Sequence, residues 1–108
     1  MTPFTERAIR IIKQIPKGQV MTYGQIAKVA GSPRASRQVV RILHSMSNKH
    51  KLPWHRVINA KGQIAIKDKE AWMEQKLLLE DEGIEVSDTG YIDLKEYQIN
   101  EIFNNEEV

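Results

Sequence analysis

Apolar side chains recur at helical spacing through the first half of this sequence. Phe4, Ala8, Ile11, Ile12 and Ile15 fall on one face. Thr2 can cap that helix, Pro3 suits its first turn, and Pro16 and Gly18 end it, so a helix is predicted over residues 2–15. Thr22 opens a second, short helix, and Gln25 three residues on completes a capping box. Ile26, Ala27 and Ala30 would face inward, and Gly31 ends it. Ser32 and Pro33 start a third helix, running to about Met46, with an apolar stripe of Ala35, Val39, Ile42, Leu43 and Met46. Its opposite face carries Arg34, Arg37, Gln38, Arg41 and Ser45.

The pattern then shortens. Residues 47–53 read as a polar loop closed by Pro53. His55–Ile58 and Gln63–Ile66 read as two strands joined through Asn59-Ala60-Lys61-Gly62, a hairpin. Asp68 caps a last helix to Glu82, packed through Ala71, Trp72, Leu78 and Leu79, and Gly83 stops it. Residues 84–97 look irregular or weakly extended, held by Ile84, Val86, Tyr91 and Leu94, and the acidic end from about Asn100 is expected to fray. The expected fold class is α+β, mostly helical: a winged helix-turn-helix-like single domain over 1–108 with a short hairpin and a C-terminal helix. A length of 108 residues suits one modest core.

A short helix, a glycine turn and a helix with an arginine face form the pattern of a helix-turn-helix. Alone it decides little, because an arginine stripe is often only a solvated surface. Charge changes the picture. Residues 1–62 carry twelve Lys and Arg against the single acid Glu6, whereas residues 63–108 carry four Lys and thirteen acids. A basic half of this kind suits a polyanion. No apolar run approaches the roughly 20 residues that span a bilayer. The first ten residues lack the charged-then-apolar order of a signal peptide, so a cytoplasmic location is expected, with nucleoid association when DNA is bound. The chain has no cysteine, which excludes disulfides, cysteine zinc sites and a cysteine nucleophile. His44 and His50 have no carboxylate partner in the pattern, so no metal and no cofactor are expected.

Three segments add a family. Residues 15–27 (IPKGQVMTYGQIA), 33–39 (PRASRQV) and 53–58 (PWHRVI) resemble, in order and spacing, the C-terminal domain of O6-alkylguanine-DNA alkyltransferases. The resemblance covers about residues 4–85. In those enzymes the last segment reads Pro-Cys-His-Arg-Val, and its cysteine accepts the alkyl group. Trp54 stands at that position here, as in the alkyltransferase-like proteins, which keep the DNA-binding domain without the transfer chemistry. His55 and Glu82 match the histidine and acid that activate the thiolate. Indole offers only a weak N–H donor and no usable nucleophile. This pair is therefore a relic, expected to hold the pocket wall and the last helix together, and the chain is not expected to be an enzyme.

The resemblance also assigns roles. Arg37 matches the finger that fills the gap left by a flipped nucleotide. Tyr23 matches a tyrosine near that nucleotide. Trp54 would line the lesion pocket, Val57 matches a position whose backbone carbonyl contacts the base, and Lys67 lies in the segment that closes the pocket. Arg34, Ser36, Gln38 and Arg41 would contact phosphate or groove surface. Departures are Val40 and Arg41, where the enzymes tend to have glycine, and Met46, where they have a structural asparagine.

The function these readings imply is a non-enzymatic, monomeric sensor. It would bind O6-alkylguanine in double-stranded DNA by nucleotide flipping and direct it to nucleotide excision repair proteins. A sequence-reading winged-helix regulator is the alternative. An enzyme working through His55 would need a nucleophile or metal partner that the pattern does not supply.

Overall fold

The computed structural model describes residues 1–100. Its first helix, α1 (Pro3–Lys13), begins as the sequence dictates: the Thr2 side chain accepts from the Thr5 amide at 3.1 Å and Pro3 occupies the first turn. Ala8, Ile9, Ile11 and Ile12 are buried along it, followed by Ile15 beyond its end. A turn at Pro16–Gln19 follows, closed by the Gln19 amide on the Pro16 carbonyl. Gly18 takes φ +86° there, a value that an L side chain rarely adopts.

Strand β1 (Met21–Thr22) leads directly into α2 (Tyr23–Val29), and the Thr22–Gln25 capping box is present in both directions. The third helix, α3 (Ser36–His50), starts later and runs further than its apolar stripe predicts. Ser32 and Pro33 belong to the turn before it, and residues expected in a polar loop form its last turn. The helix ends on Lys51, whose φ of +53° is the left-handed C-terminal stop usually given to glycine. Helices α1, α2 and α3 close one core around Ile12, Ile26, Ala27, Val39 and Ile42.

The expected hairpin is not formed. The Asn59–Gln63 turn closes through the Gly62 amide on the Asn59 carbonyl and the Asn59 amide on the Gln63 carbonyl, but no strand ladder extends from it among the described residues. Strand β2 (Val57–Ile58) instead runs parallel to β1, with Met21 opposite Val57 and Thr22 opposite Ile58. The other flank reaches the C-terminal segment, with a bridge between Gln63 and Tyr91 and the Ile64 amide on the Gly90 carbonyl. Burial decides between the pairings. Val57 and Ile58 are both buried, a two-sided pattern suited to a covered parallel strand and unlike the alternating pattern of a solvent-facing wing.

Helix α4 (Lys69–Asp81) is capped by Asp68 on the Ala71 amide, as the sequence predicts, and stopped by Gly83 at φ +88°. Its inward residues are Gln75 and Leu79. The stretch expected to be irregular contains a short helix, α5 (Leu94–Tyr97), capped by Asp93. It also contributes Ile84 and Ile92 to a second core with Val20, Ile58, Ile64 and Leu79. The expected fraying of the C-terminal tail lies outside the described residues, apart from Asn100.

Gly62 binds the turn to that second core. Its φ is +78°, and an added Cβ would lie 2.5 Å from the Ile92 carbonyl oxygen. Gly62→Ala is expected to cost about 2–4 kcal/mol, because backbone strain and a backbone clash coincide. Denaturant unfolding of the variant checks this. A loss under about 0.5 kcal/mol, the scale of an ordinary surface change, would mean that the turn relaxes freely.

Candidate nucleic-acid interface and adjoining cleft

The order α2–turn–α3 puts two short-range features side by side. Tyr23 opens α2 and Ser36 opens α3, and these first turns lie close enough that a Cβ on Gly24 would meet Ser36 Oγ at 3.8 Å. No side chain caps α3, and its first turn contains no acid. Free N–H groups there, with Arg34 and Arg37 beside them, make a local positive end that favours phosphate. Arg34, Arg37, Gln38, Arg41 and Ser45 are all exposed, as the helical spacing predicts, although Arg34 sits on the turn before α3. None of these arginines forms an ion pair among the described residues. Ser36 is half-buried.

A cleft of about 490 Å³ opens beside this face. Tyr23, Val40 and Leu43 of α2 and α3 form one wall. Trp54 and Val57 form its base, and Ile66, Ala71 and Glu74 close it from α4 and the segment before it. The volume falls within the range of about 300–1,000 Å³ that takes a small ligand. Burial raises the Tyr23 pKa, so its hydroxyl stays a neutral donor at physiological pH. Trp54 stands edge-on to His55, with ring centroids 6.2 Å apart and planes at 85°. Tyr23, Trp54 and Val57 are therefore brought together. Lys67 is exposed and does not line the cleft, unlike its neighbours Ile66 and Asp68. The Val57 carbonyl, expected to face a base, already accepts from Gln75 Nε2 at 3.0 Å.

Behind the cleft lies a polar hub. Glu82 Oε2 bonds His55 Nε2 at 2.7 Å, so the pair expected from the sequence is in contact. Glu82 also accepts from Arg56 Nε and Nη2 and from the Gly18 amide. The remaining arm of Arg56 donates to the Ile15 carbonyl at 2.7 Å. One carboxylate thus ties the Gly18 turn, the 3₁₀ turn Trp54–Arg56 and the end of α4 together. Arg56 was not singled out by the sequence reading, although its place in PWHRVI next to the matched histidine was a usable signal. Gln75 was missed too. It is buried, and its Nε2 donates to the carbonyls of both His55 and Val57, fixing the segment that carries Trp54. A glutamine on the inward face of a helix was the signal, since a buried amide needs partners.

Burial pushes the Glu82 pKa up, but the bonds from Arg56, His55 and Gly18 outweigh it and lower the pKa to about 2. The depressed folded value means that the hub stabilises above the unfolded carboxylate pKa near 4.5 and that this stability is lost as pH falls toward 2. Stability to urea is expected to fall by roughly 2 kcal/mol across that window, after a discount for the solvent-facing edge. In Glu82→Gln this part of the pH dependence should vanish, and an unchanged profile would overturn the assignment.

The chain matches the family model of the 6-O-methylguanine DNA methyltransferase DNA-binding domain over residues 3–84. It is 47% identical over 98 residues to the DNA base-flipping protein of Vibrio parahaemolyticus, covering 91% of this chain and 97% of that one. It is 39% identical over 101 residues to alkyltransferase-like protein 1 of Schizosaccharomyces pombe, covering 93% and 91%. The crystal structure of that yeast protein with damaged DNA containing O6-carboxymethylguanine superposes with a TM-score of 0.81 at 35% identity, over 93% of this chain and 97% of the other. An O6-methylguanine methyltransferase from Mycobacterium tuberculosis matches with a TM-score of 0.61 at 30% identity, over 76% of this chain and 49% of its own. This chain belongs to the 6-O-methylguanine DNA methyltransferase DNA-binding family, as an alkyltransferase-like member with Trp54 in place of the acceptor cysteine. With no cysteine anywhere in the chain, it is not an alkyltransferase.

Proposed function

We propose that this protein is a non-enzymatic sensor that binds O6-alkylguanine in duplex DNA by flipping the nucleotide into the Tyr23–Trp54–Val57 cleft. The observation that carries this reading is the adjacency of an arginine face, free of ion pairs among the described residues, and an aromatic-walled cleft whose nucleophile position holds Trp54. Arg34, Ser36, Gln38 and Arg41 hold phosphate and groove surface, Arg37 fills the vacated stack, and Trp54 supplies an apolar wall for the flipped purine. Lys67 has no part in the pocket wall in this reading. The related proteins named for base flipping, and the yeast complex with damaged DNA, support the assignment. Acting as a monomeric cytoplasmic protein that associates with the nucleoid, it leaves the lesion unrepaired, so its product is a marked site for nucleotide excision repair proteins.

Competition binding tests this. A labelled duplex with one O6-methylguanine is challenged by the identical unmodified duplex. A preference of at least about tenfold for the lesion, roughly 1.4 kcal/mol, is expected. Equal competition would remove lesion recognition and leave a winged-helix protein that reads intact DNA.

A further inference from the structure

Helix α4 is held to the fold by one side, through Gln75 and Leu79. Among the described residues, its other side is left uncovered. Met73 is 48% exposed and Leu77, one turn on, is 56% exposed, with Leu78 half-buried beside them. Single exposed apolar residues are ordinary on a protein surface. These three form one strip, and acids surround it: Glu70, Glu74 and Asp81. Two lysines of the helix lie near it as well, Lys69 one turn before Met73 and Lys76, which pairs with Glu80 at 2.7 Å, but the four acids Glu70, Glu74, Glu80 and Asp81 outnumber them.

Charge selects the occupant. DNA and anionic lipid are repelled by the acidic rim. A second copy meeting face to face would set the same acids against each other. The segment 101–108 carries Glu101, Glu106 and Glu107, and it too has the wrong sign. The complement is a protein surface with apolar side chains inside a cationic rim. Position adds a second argument. Ala71 and Glu74 of the same helix line the cleft, yet the strip includes no residue of α3. We propose that the Met73–Leu77 face of α4 docks a partner protein presenting apolar side chains flanked by lysine or arginine, and that it does so while α3 holds DNA. The partner then sits against the same helix that closes the cleft.

The test is a random-peptide library displayed on phage, panned against the intact chain with and without duplex DNA. Enriched peptides are expected to carry two or more large apolar residues between basic flanks, in both conditions. A synthetic peptide of the enriched sequence should shift amide NMR signals within residues 69–81. Leu77→Ser should weaken its binding about tenfold or more, as loss of a central apolar anchor does, while leaving thermal stability and lesion-duplex affinity unchanged. Replacing the peptide's basic residues with glutamate should abolish binding. No enrichment, enrichment without basic flanks, shifts confined to another surface, or unchanged affinity in Leu77→Ser would each overturn the proposal. So would a concentration-dependent dimer dissociated by Leu77→Ser, which would make a second copy the occupant.

Discussion

Arg37→Ala is expected to weaken binding to an O6-methylguanine duplex about 10–100-fold, the size of a lost side-chain contact worth about 1–3 kcal/mol, with little change in melting temperature. The two halves of that expectation rest on different observations. Arg37 is exposed in the first turn of α3, outside any ion pair among the described residues, so its removal takes little from the fold. Its proposed contribution appears only when a nucleotide has left the stack. The vacated duplex then holds an unpaired base and a gap, and a planar guanidinium can stack in the gap and bond the base edge. Lysine carries the same charge as a compact point, so Arg37→Lys should recover only part of the loss. Binding to unmodified duplex should fall much less, since there Arg37 contributes one phosphate contact and a salt slope change of about one unit. Fluorescence anisotropy on both duplexes, with melting curves on each variant, separates the possibilities. Equal loss on both duplexes would make Arg37 a phosphate contact only, and a parallel loss of stability would make it a structural residue.

The parts of this fold that the sequence made legible are those governed by local rules. Thr2 before Pro3, the Thr22–Gln25 box, Asp68 before α4 and Gly83 after it are decided within a turn of chain, and each is present. Pairing of strands is not local. Val57 and Ile58 have the composition of a hairpin arm, but their partner Met21–Thr22 lies more than thirty residues upstream, in a segment too short to give a strand signal of its own. The late start of α3 has a similar cause. Pro33 is well suited to open a helix, yet the tight turn from Gly31 to Ala35 uses it instead, through the Ala35 amide on the Ser32 carbonyl. In the C-terminal segment Ile84, Val86 and Leu94 are legible as anchors, but Ile92 and the short helix are not, because the apolar residues are spaced irregularly and serve a core built by Val20, Ile58 and Leu79 from elsewhere.

The site divides along the same line. The exposed positions proposed to meet DNA on one helix, Arg37, Gln38 and Arg41, follow from periodicity alone. The cleft does not, since Tyr23, Val40, Trp54 and Ala71 converge from four segments. The resemblance to alkyltransferases supplied that convergence for Tyr23, Trp54 and Val57. It could not supply Gln75, whose role depends on burial against two carbonyls.

The largest stability effect is expected at Glu82. Glu82→Ala should cost about 3–5 kcal/mol, the cost of stripping one partner from a buried charged pair, and lower the melting temperature by roughly 15 °C or more. The reason is what remains behind. Arg56, with its side chain 17% exposed, would keep only the Ile15 carbonyl, and the Gly18 amide and His55 Nε2 would lose their partner together. Three chain segments would then be held by packing alone. Glu82→Gln preserves volume and an acceptor oxygen for Gly18 while removing the charge that Arg56 faces, so a smaller cost of about 1–3 kcal/mol is expected. Since Trp54 and Val57 adjoin these residues in sequence, lesion affinity well below the melting temperature should fall in step with stability, Ala more than Gln. Denaturant unfolding and anisotropy on the two variants check this. A full loss of lesion affinity in a Glu82→Gln protein of undiminished stability would overturn the structural role, because the carboxylate would then be acting on the bound nucleotide through His55 rather than on the fold.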